Sequence, residues 1–242
     1  MLEQSFACCT DFFEGLNGYG QLLLLGTWVT LKLAFLSLCL SLALGLVGAQ
    51  AKLSTARFWR GCAQLYTTLI RGVPDLVLML LIFYGLQTGV SQLTTRMGWP
   101  YIEINAFSAG VITLGFIYGA YFTETFRGAL LAVPPGQIEA GRAFGLSSIQ
   151  CFRHVVFPQM MRFALPGLGN NWQVLLKATA LVSIIGLADL VKVAHDAGKS
   201  SYQLFYFLLL AALIYLLITM VSNVFLHLLE RRFGMGVRGP QT

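Results

Sequence analysis

The sequence predicts an all-α, polytopic membrane protein with five transmembrane helices, its N-terminus outside and its C-terminus in the cytosol. Three observations carry this. Hydrophobic residues make up 57% of the 242 residues and charged residues 11%, with a mean hydropathy of +0.72; a soluble domain of this size could not tolerate so apolar a surface. Five stretches supply the roughly 20 largely apolar residues that a spanning helix needs. Lys and Arg are distributed unevenly among the segments between them.

The predicted spans are 22–47, 65–86, 107–126, 163–187 and 202–229. The first is too long to be the core of a cleaved signal peptide, and acidic and aromatic residues precede it in place of a basic region. The second carries Arg71 and Asp75 beside a Gly72 and Pro74 break. Those charges are expected at the cytosolic boundary, as end-capping or interfacial groups, with the buried part starting at Leu76. Gly115-x-x-x-Gly119 in the third span and Gly167-x-Gly169 in the fourth allow close helix approach, within the chain or across a dimer seam. No linker, repeat or low-complexity tract divides the chain, so residues 1–242 read as one membrane domain.

Orientation follows from the basic residues. One side collects Lys52, Arg57, Arg60, Arg71, Arg127, Arg142, Arg153, Arg162, Arg231, Arg232 and Arg238; the other has Arg96, Lys192 and Lys199. Eleven against three sets the first group in the cytosol. The net charge of +6 is thereby explained by topology and leaves a nucleic-acid partner nothing to account for. Cys8, Cys9, Cys39, Cys62 and Cys151 have no metal-ligand or disulfide spacing. Gly198-Lys199-Ser200 ends like a phosphate loop, but Val193 stands where its first glycine belongs. His154, His195 and His227 fall in separate places, so no catalytic set is formed and an enzyme is not expected.

One loop breaks the membrane-like pattern. Glu139, Ala140 and Gly141 are followed after three residues by Gly145 and after nine more by Val155, Val156, Phe157 and Pro158. Helix-compatible residues, a glycine break and a second apolar and basic run predict two short helices at an angle, an elbow fit for a groove on another protein. The spacing resembles E-A-A-x3-G-x9-I-x-L-P, the cytosolic loop of permease subunits of binding-protein-dependent ABC importers, with Gly141, Val155 and Phe157 as mild departures. The segments 67–74, 112–127, 169–177 and 186–189 resemble the polar amino-acid branch of that family, nearest the Q-type subunits of histidine and lysine/arginine/ornithine importers.

The resemblance implies a type I importer permease in a bacterial inner membrane, with the loop at about 134–160 coupling it to a cytosolic ATPase dimer. It also implies a related second permease subunit and a periplasmic amino-acid-binding protein. ATP and Mg would be used by the ATPase, with no cofactor bound by this chain. Branches carrying arginine, glutamine, octopine or nopaline share most of these phrases. A secondary transporter or channel subunit is the other class, but the former normally needs repeated halves and has no use for the elbow.

Charges within a span are costly and therefore candidates for function. Lys32 has apolar neighbours and could snorkel or face a partner. Glu124 shares a helical face with Tyr118, Tyr121 and Arg127. It either pairs with Arg127 or, with the tyrosines, meets the cation of an amino acid. Asn170, Gln173 and Lys177 form a stripe on the fourth helix that either lines a pathway or is buried at a seam. Asp189 is expected to be structural, at a helix end.

Overall fold

The computed structural model describes residues 18–234, and Cys8, Cys9 and Arg238 lie outside them. Every regular element described is helical: α1 Tyr19–Leu53, α2 Arg57–Gly72, α3 Asp75–Arg96, α4 Ala106–Leu131, α5 Pro135–Ala143, α6 Ser148–Cys151, α7 Phe157–Ala178, α8 Leu190–Ser200 and α9 Leu204–Gly234. Four of these, α1, α3, α4 and α9, are long and apolar enough to cross a membrane, and a fifth span is formed if the bent pair 148–185 and α8 counts as one. At 1.5 Å per residue the 35 residues of α1 measure about 52 Å, well beyond the roughly 30 Å hydrocarbon layer. Its C-terminal turns therefore project past the layer or tilt within it.

The second span begins where the charged break leads one to expect, just after Pro74, but runs on past residue 86 to Arg96. The chain breaks at Val73 and Pro74, whose extended backbone ends α2, and the spanning helix is α3 from Asp75 onward. Proline explains the break, because the residue before it is pushed away from helical geometry. The half of the predicted span before the break belongs instead to α2, an amphipathic helix that buries Ala63, Thr67 and Ile70 and exposes Phe58, Trp59, Leu65 and Leu69.

After α3, Gly98 at φ +68 turns the chain. The Gln87 side chain pins the loop by donating to the Ile102 carbonyl and accepting from Ile104 N, at 3.0 and 2.9 Å. Asn105 then caps α4 through Phe107 N at 2.8 Å. The fourth predicted span is also altered. Beyond α7 the helix tightens to a 3-10 turn over Thr179–Ile185, Gly186 adopts φ +96, and α8 leaves at 54°. Asp189 is the structural residue the sequence leads one to expect, accepting from Lys192 N at 2.9 Å to cap α8. Gly198-Lys199-Ser200 lie at the end of that helix, so they form no phosphate-cradling loop.

The core lies between α1 and α4, the most extensively packed pair. Small residues make it possible. A Cβ on Gly45 would lie 2.6 Å from Phe122 Cβ, and one on Gly119 would lie 2.8 Å from Tyr66 Oη and 2.9 Å from Leu44 Cβ. Gly48 meets Thr123 and Gly115 meets Leu40 still more closely. The two small-residue motifs thus pack inside the chain: Gly115 and Gly119 against α1, Gly167 against Thr125, and Gly169 against Leu226.

Gly48→Val should overpack this seam and cost about 1–3 kcal/mol. Gly61→Ala, where an added Cβ meets nothing within 4 Å, should be neutral or stabilising by about 0.5–1 kcal/mol. Thermal unfolding of the two purified variants beside wild type checks the contrast.

Candidate functional site

Two polar regions and one surface elbow hold the sequence-predicted site residues. The first region runs along α4, where Tyr118, Tyr121, Glu124 and Arg127 recur every third residue. Tyr118 is buried and donates its hydroxyl to Asp75 Oδ2 at 2.9 Å. Its ring stacks on Tyr121, with centroids 5.5 Å apart. The Arg71 guanidinium lies 5.5 Å from the Tyr121 centroid. One turn further, Glu124 accepts from Arg127 Nε at 3.0 Å through one carboxylate oxygen and pairs with Lys52 through the other.

The Lys52 side chain is only 4% exposed and that of Glu124 20%. Burying an ammonium is tolerable only because the carboxylate neutralises it. Lys52 comes from the end of α1, so this triad ties the two core helices together at their polar ends. Beside it, Lys52, Gln64, Thr67, Thr68, Arg71, Gly72, Glu124 and Arg127 line a cavity of 430 Å³, within the range of small-ligand sites, roughly 300–1,000 Å³.

The second region faces α9 and does not join the first. Asn170 and Gln173 line a 430 Å³ cavity with Asn223, His227 and Glu230, and Gln173 donates to Asn223 Oδ1. Lys177, on the same stripe of α7, opens into a different 230 Å³ cavity beside Tyr215 and Val191. The expected three-residue stripe is therefore divided between two cavities. Lys32 is exposed on α1 with its ammonium 5.2 Å from the Trp28 ring.

At the elbow, only the first arm is a separate short helix. α5 ends where Gly145 takes φ +78, and its N–H donates to Arg142 O at 2.9 Å. The second arm is continuous with the fourth span: α6, a π-helical turn over Phe152–Val156, then α7. Pro158 does not end that arm, because proline is tolerated in the first turn of α7, where the widened π turn precedes it. Ser147 and Gln150 form a reciprocal capping box at the start of α6, which the spacing S-x-x-Q encodes.

Gly141 is buried, and a Cβ there would lie 3.1 Å from Cys151 Sγ, so glycine at this position lets Cys151 close the elbow. Glu139 and Ala140 are exposed, Val155 is half-buried, and Phe157 and Pro158 are exposed. Phe144 and Ile149, at 88% and 80% exposure, are large apolar side chains with no cover from this chain.

Asp75, Arg71 and Lys52 are the residues that sequence reasoning left out of the site. The first two flank a helix break and read as boundary charges, and nothing local marks Lys52 as the partner of a residue 72 positions away.

Glu124→Gln should leave Lys52 as a buried, half-satisfied charge and lower stability by about 3 kcal/mol, the low end for a broken buried pair because Glu124 is partly exposed. Lys52→Met combined with Glu124→Leu should regain most of that loss. A double-mutant cycle by thermal unfolding reads the coupling.

The family described as binding-protein-dependent transport system inner membrane component matches residues 41–235. The histidine/lysine/arginine/ornithine transport system permease protein HisQ of Salmonella typhimurium is 59% identical over 223 residues, 92% of this chain and 98% of that one. The arginine ABC transporter permease protein ArtQ of Haemophilus influenzae is 44% identical, covering 87% and 93% of the two chains. Among solved structures, a crystal structure of an amino acid ABC transporter with histidines superposes with a TM-score of 0.77 at 36% identity, over 91% of this chain and 98% of that one. With five potential spans, an exposed elbow and matches of this extent, the chain belongs to the inner-membrane permease family of binding-protein-dependent ABC transport systems.

Proposed function

We propose that this chain is a permease subunit of an ATP-driven importer that carries basic amino acids, histidine, arginine, lysine and ornithine, across a bacterial inner membrane. The observation that carries the reading is 59% identity, across nearly the whole of both chains, to a permease named for those four substrates. The 40%-identical octopine transport permease OccQ of Rhizobium radiobacter supports a bulkier arginine-like substrate as the second reading. ATP and Mg are used by a partner ATPase dimer, and this chain contributes no catalytic group. A periplasmic binding protein delivers the amino acid.

Residues 1–242 act as one permease domain, N-terminus outside, beside a second, related permease subunit. The core of a single chain is built on one helix pair, and α3 and α9 expose most of their apolar surface, which suits them to lipid and a partner subunit. Tyr118, Tyr121 and Glu124 on α4 and Asn170, Gln173 and Lys177 on α7 are the pathway candidates. Glu124, the pair Asn170 and Gln173, and Lys177 line three separate cavities, which fits successive stations better than a single pocket.

The elbow at 134–160, with Glu139, Ala140, Gly141, Gly145, Val155, Phe157 and Pro158, docks on the ATPase. Phe144 and Ile149 are its anchors, since large exposed apolar side chains on a polar loop gain most from a complementary groove. Gly145→Val places a β-branched residue at φ +78, so it should distort the turn. The expected result is an assembled complex whose transport per ATP falls severalfold. Wild-type transport per ATP by a correctly assembled variant would remove the elbow from coupling.

Orientation is tested on a cysteine-free background with single cysteines near Gly18 and Gly239, the latter beyond the described residues. In cells with a permeabilised outer membrane, an impermeant thiol reagent should label only the first. Labelling at Gly239 would reverse the topology.

A further inference from the structure

Arg71 is an exposed cation with an unusual setting. It lies in the last turn of α2, four residues before Asp75, yet the break at Val73 and Pro74 places the two charges on different helices and they form no ion pair. Arg71 instead covers the face of Tyr121, which stacks on Tyr118, whose hydroxyl donates to Asp75. An aromatic face beside a carboxylate is the chemistry that recognises an organic cation in a partly desolvated place. Here a guanidinium already occupies it.

The neighbouring carboxylate is not equivalent. Glu124 spends its two oxygens on Lys52 and Arg127. Asp75 has a tyrosine hydroxyl as partner and, among the described residues, no cation within ion-pair distance. Asp75 therefore retains capacity for a positive group where Glu124 does not.

The adjoining 430 Å³ cavity has Arg71, Lys52 and Arg127 on its wall against one carboxylate, Glu124. Tyr121 and Asp75 are not on that wall, so the Arg71 side chain stands between the cavity and the tyrosine face. A cation entering this cavity meets excess positive charge until Arg71 swings aside. Arg71 is exposed and sits in the last turn of α2, just before the helix ends, so its side chain has solvent to swing into.

We propose that Asp75, Tyr118 and Tyr121 form a recognition site for the side-chain cation of a basic amino acid, and that Arg71 is a tethered competitor for it. The inference rests on the reading of this chain as an importer subunit for basic amino acids. Arginine or lysine gains the aromatic face as Arg71 vacates it and adds an ion pair to Asp75 that Arg71 does not make, whereas a neutral polar amino acid has no side-chain charge to offer. Selectivity then arises from an exchange of like groups on the aromatic face, with the ion pair to Asp75 gained only by a cationic side chain.

The test is direct binding of labelled arginine and glutamine to the complete transporter in lipid nanodiscs, without the binding protein. Arg71→Gln should bind arginine about three- to tenfold more tightly, as removal of one competing cation–π contact predicts. Arg71→Lys keeps the competitor and should stay near wild type. Asp75→Asn should weaken arginine binding by roughly tenfold or more and leave glutamine unchanged. Tyr118→Phe, which keeps the Asp75 charge but frees its orientation, should weaken arginine binding by a smaller factor in a complex of wild-type assembly. Unchanged or weaker arginine binding in Arg71→Gln, or equal effects on glutamine, would overturn the proposal. The importer reading fails separately, if the wild-type transporter with its binding protein and ATP accumulates none of the basic amino acids.

Discussion

The approach of α1 to α4 is the constraint on which the rest depends. Gly45 and Gly48 on one helix and Gly115 and Gly119 on the other leave no room for side chains at the crossing, so backbone and neighbouring side chains meet directly. In a bilayer, where hydrophobic burial does not drive helices together, such close van der Waals contact is the main source of association. It also sets the register of everything beyond it. Lys52 reaches Glu124 because α1 is long and tightly held along α4, and the partly buried ion triad then ties the two helix ends together.

The polar residues follow the same logic. Ser41 sits within the seam and its hydroxyl is spent on backbone, at 2.6 Å from Ser37 O and 3.2 Å from Gly115 O. Several further polar groups lie where helices break or end: Arg71 and Asp75 at the Pro74 break, Asp189 after Gly186, and the elbow at Gly145. A broken helix frees backbone and places side chains at angles that a continuous helix does not allow. Breaks therefore supply Arg71 and Asp75 to the polar region on α4, whose own ladder Tyr118, Tyr121 and Glu124 comes from an uninterrupted helix.

Much of this was legible in the sequence, for physical reasons. Span number and helical class follow from hydropathy, because a bilayer accepts few alternatives. The elbow was legible because a polar, glycine-punctuated segment stands out against an apolar chain. Its second arm was misjudged because Pro158 reads as a terminator, whereas in a first helical turn its missing N–H costs little. The start of the second span was legible from Arg71, Gly72 and Pro74, whereas its end was not, because the stretch from Gln87 to Arg96 is more polar than the rest of that helix. At the site, the α4 ladder could be read from its spacing. The Lys52–Glu124 pair could not, since it joins residues brought together only by the glycine seam.

A pump powered by a partner ATPase and supplied by a binding protein is the function proposed for this chain. The most direct test is accumulation of labelled arginine in proteoliposomes that carry the complete transporter, with ATP on the ATPase side and the binding protein on the other. Concentrative uptake that stops when either ATP or the binding protein is withheld is the predicted result. Uptake that persists without ATP, as exchange or downhill flux at a comparable rate, would contradict it and return the chain to the secondary transporters or channels.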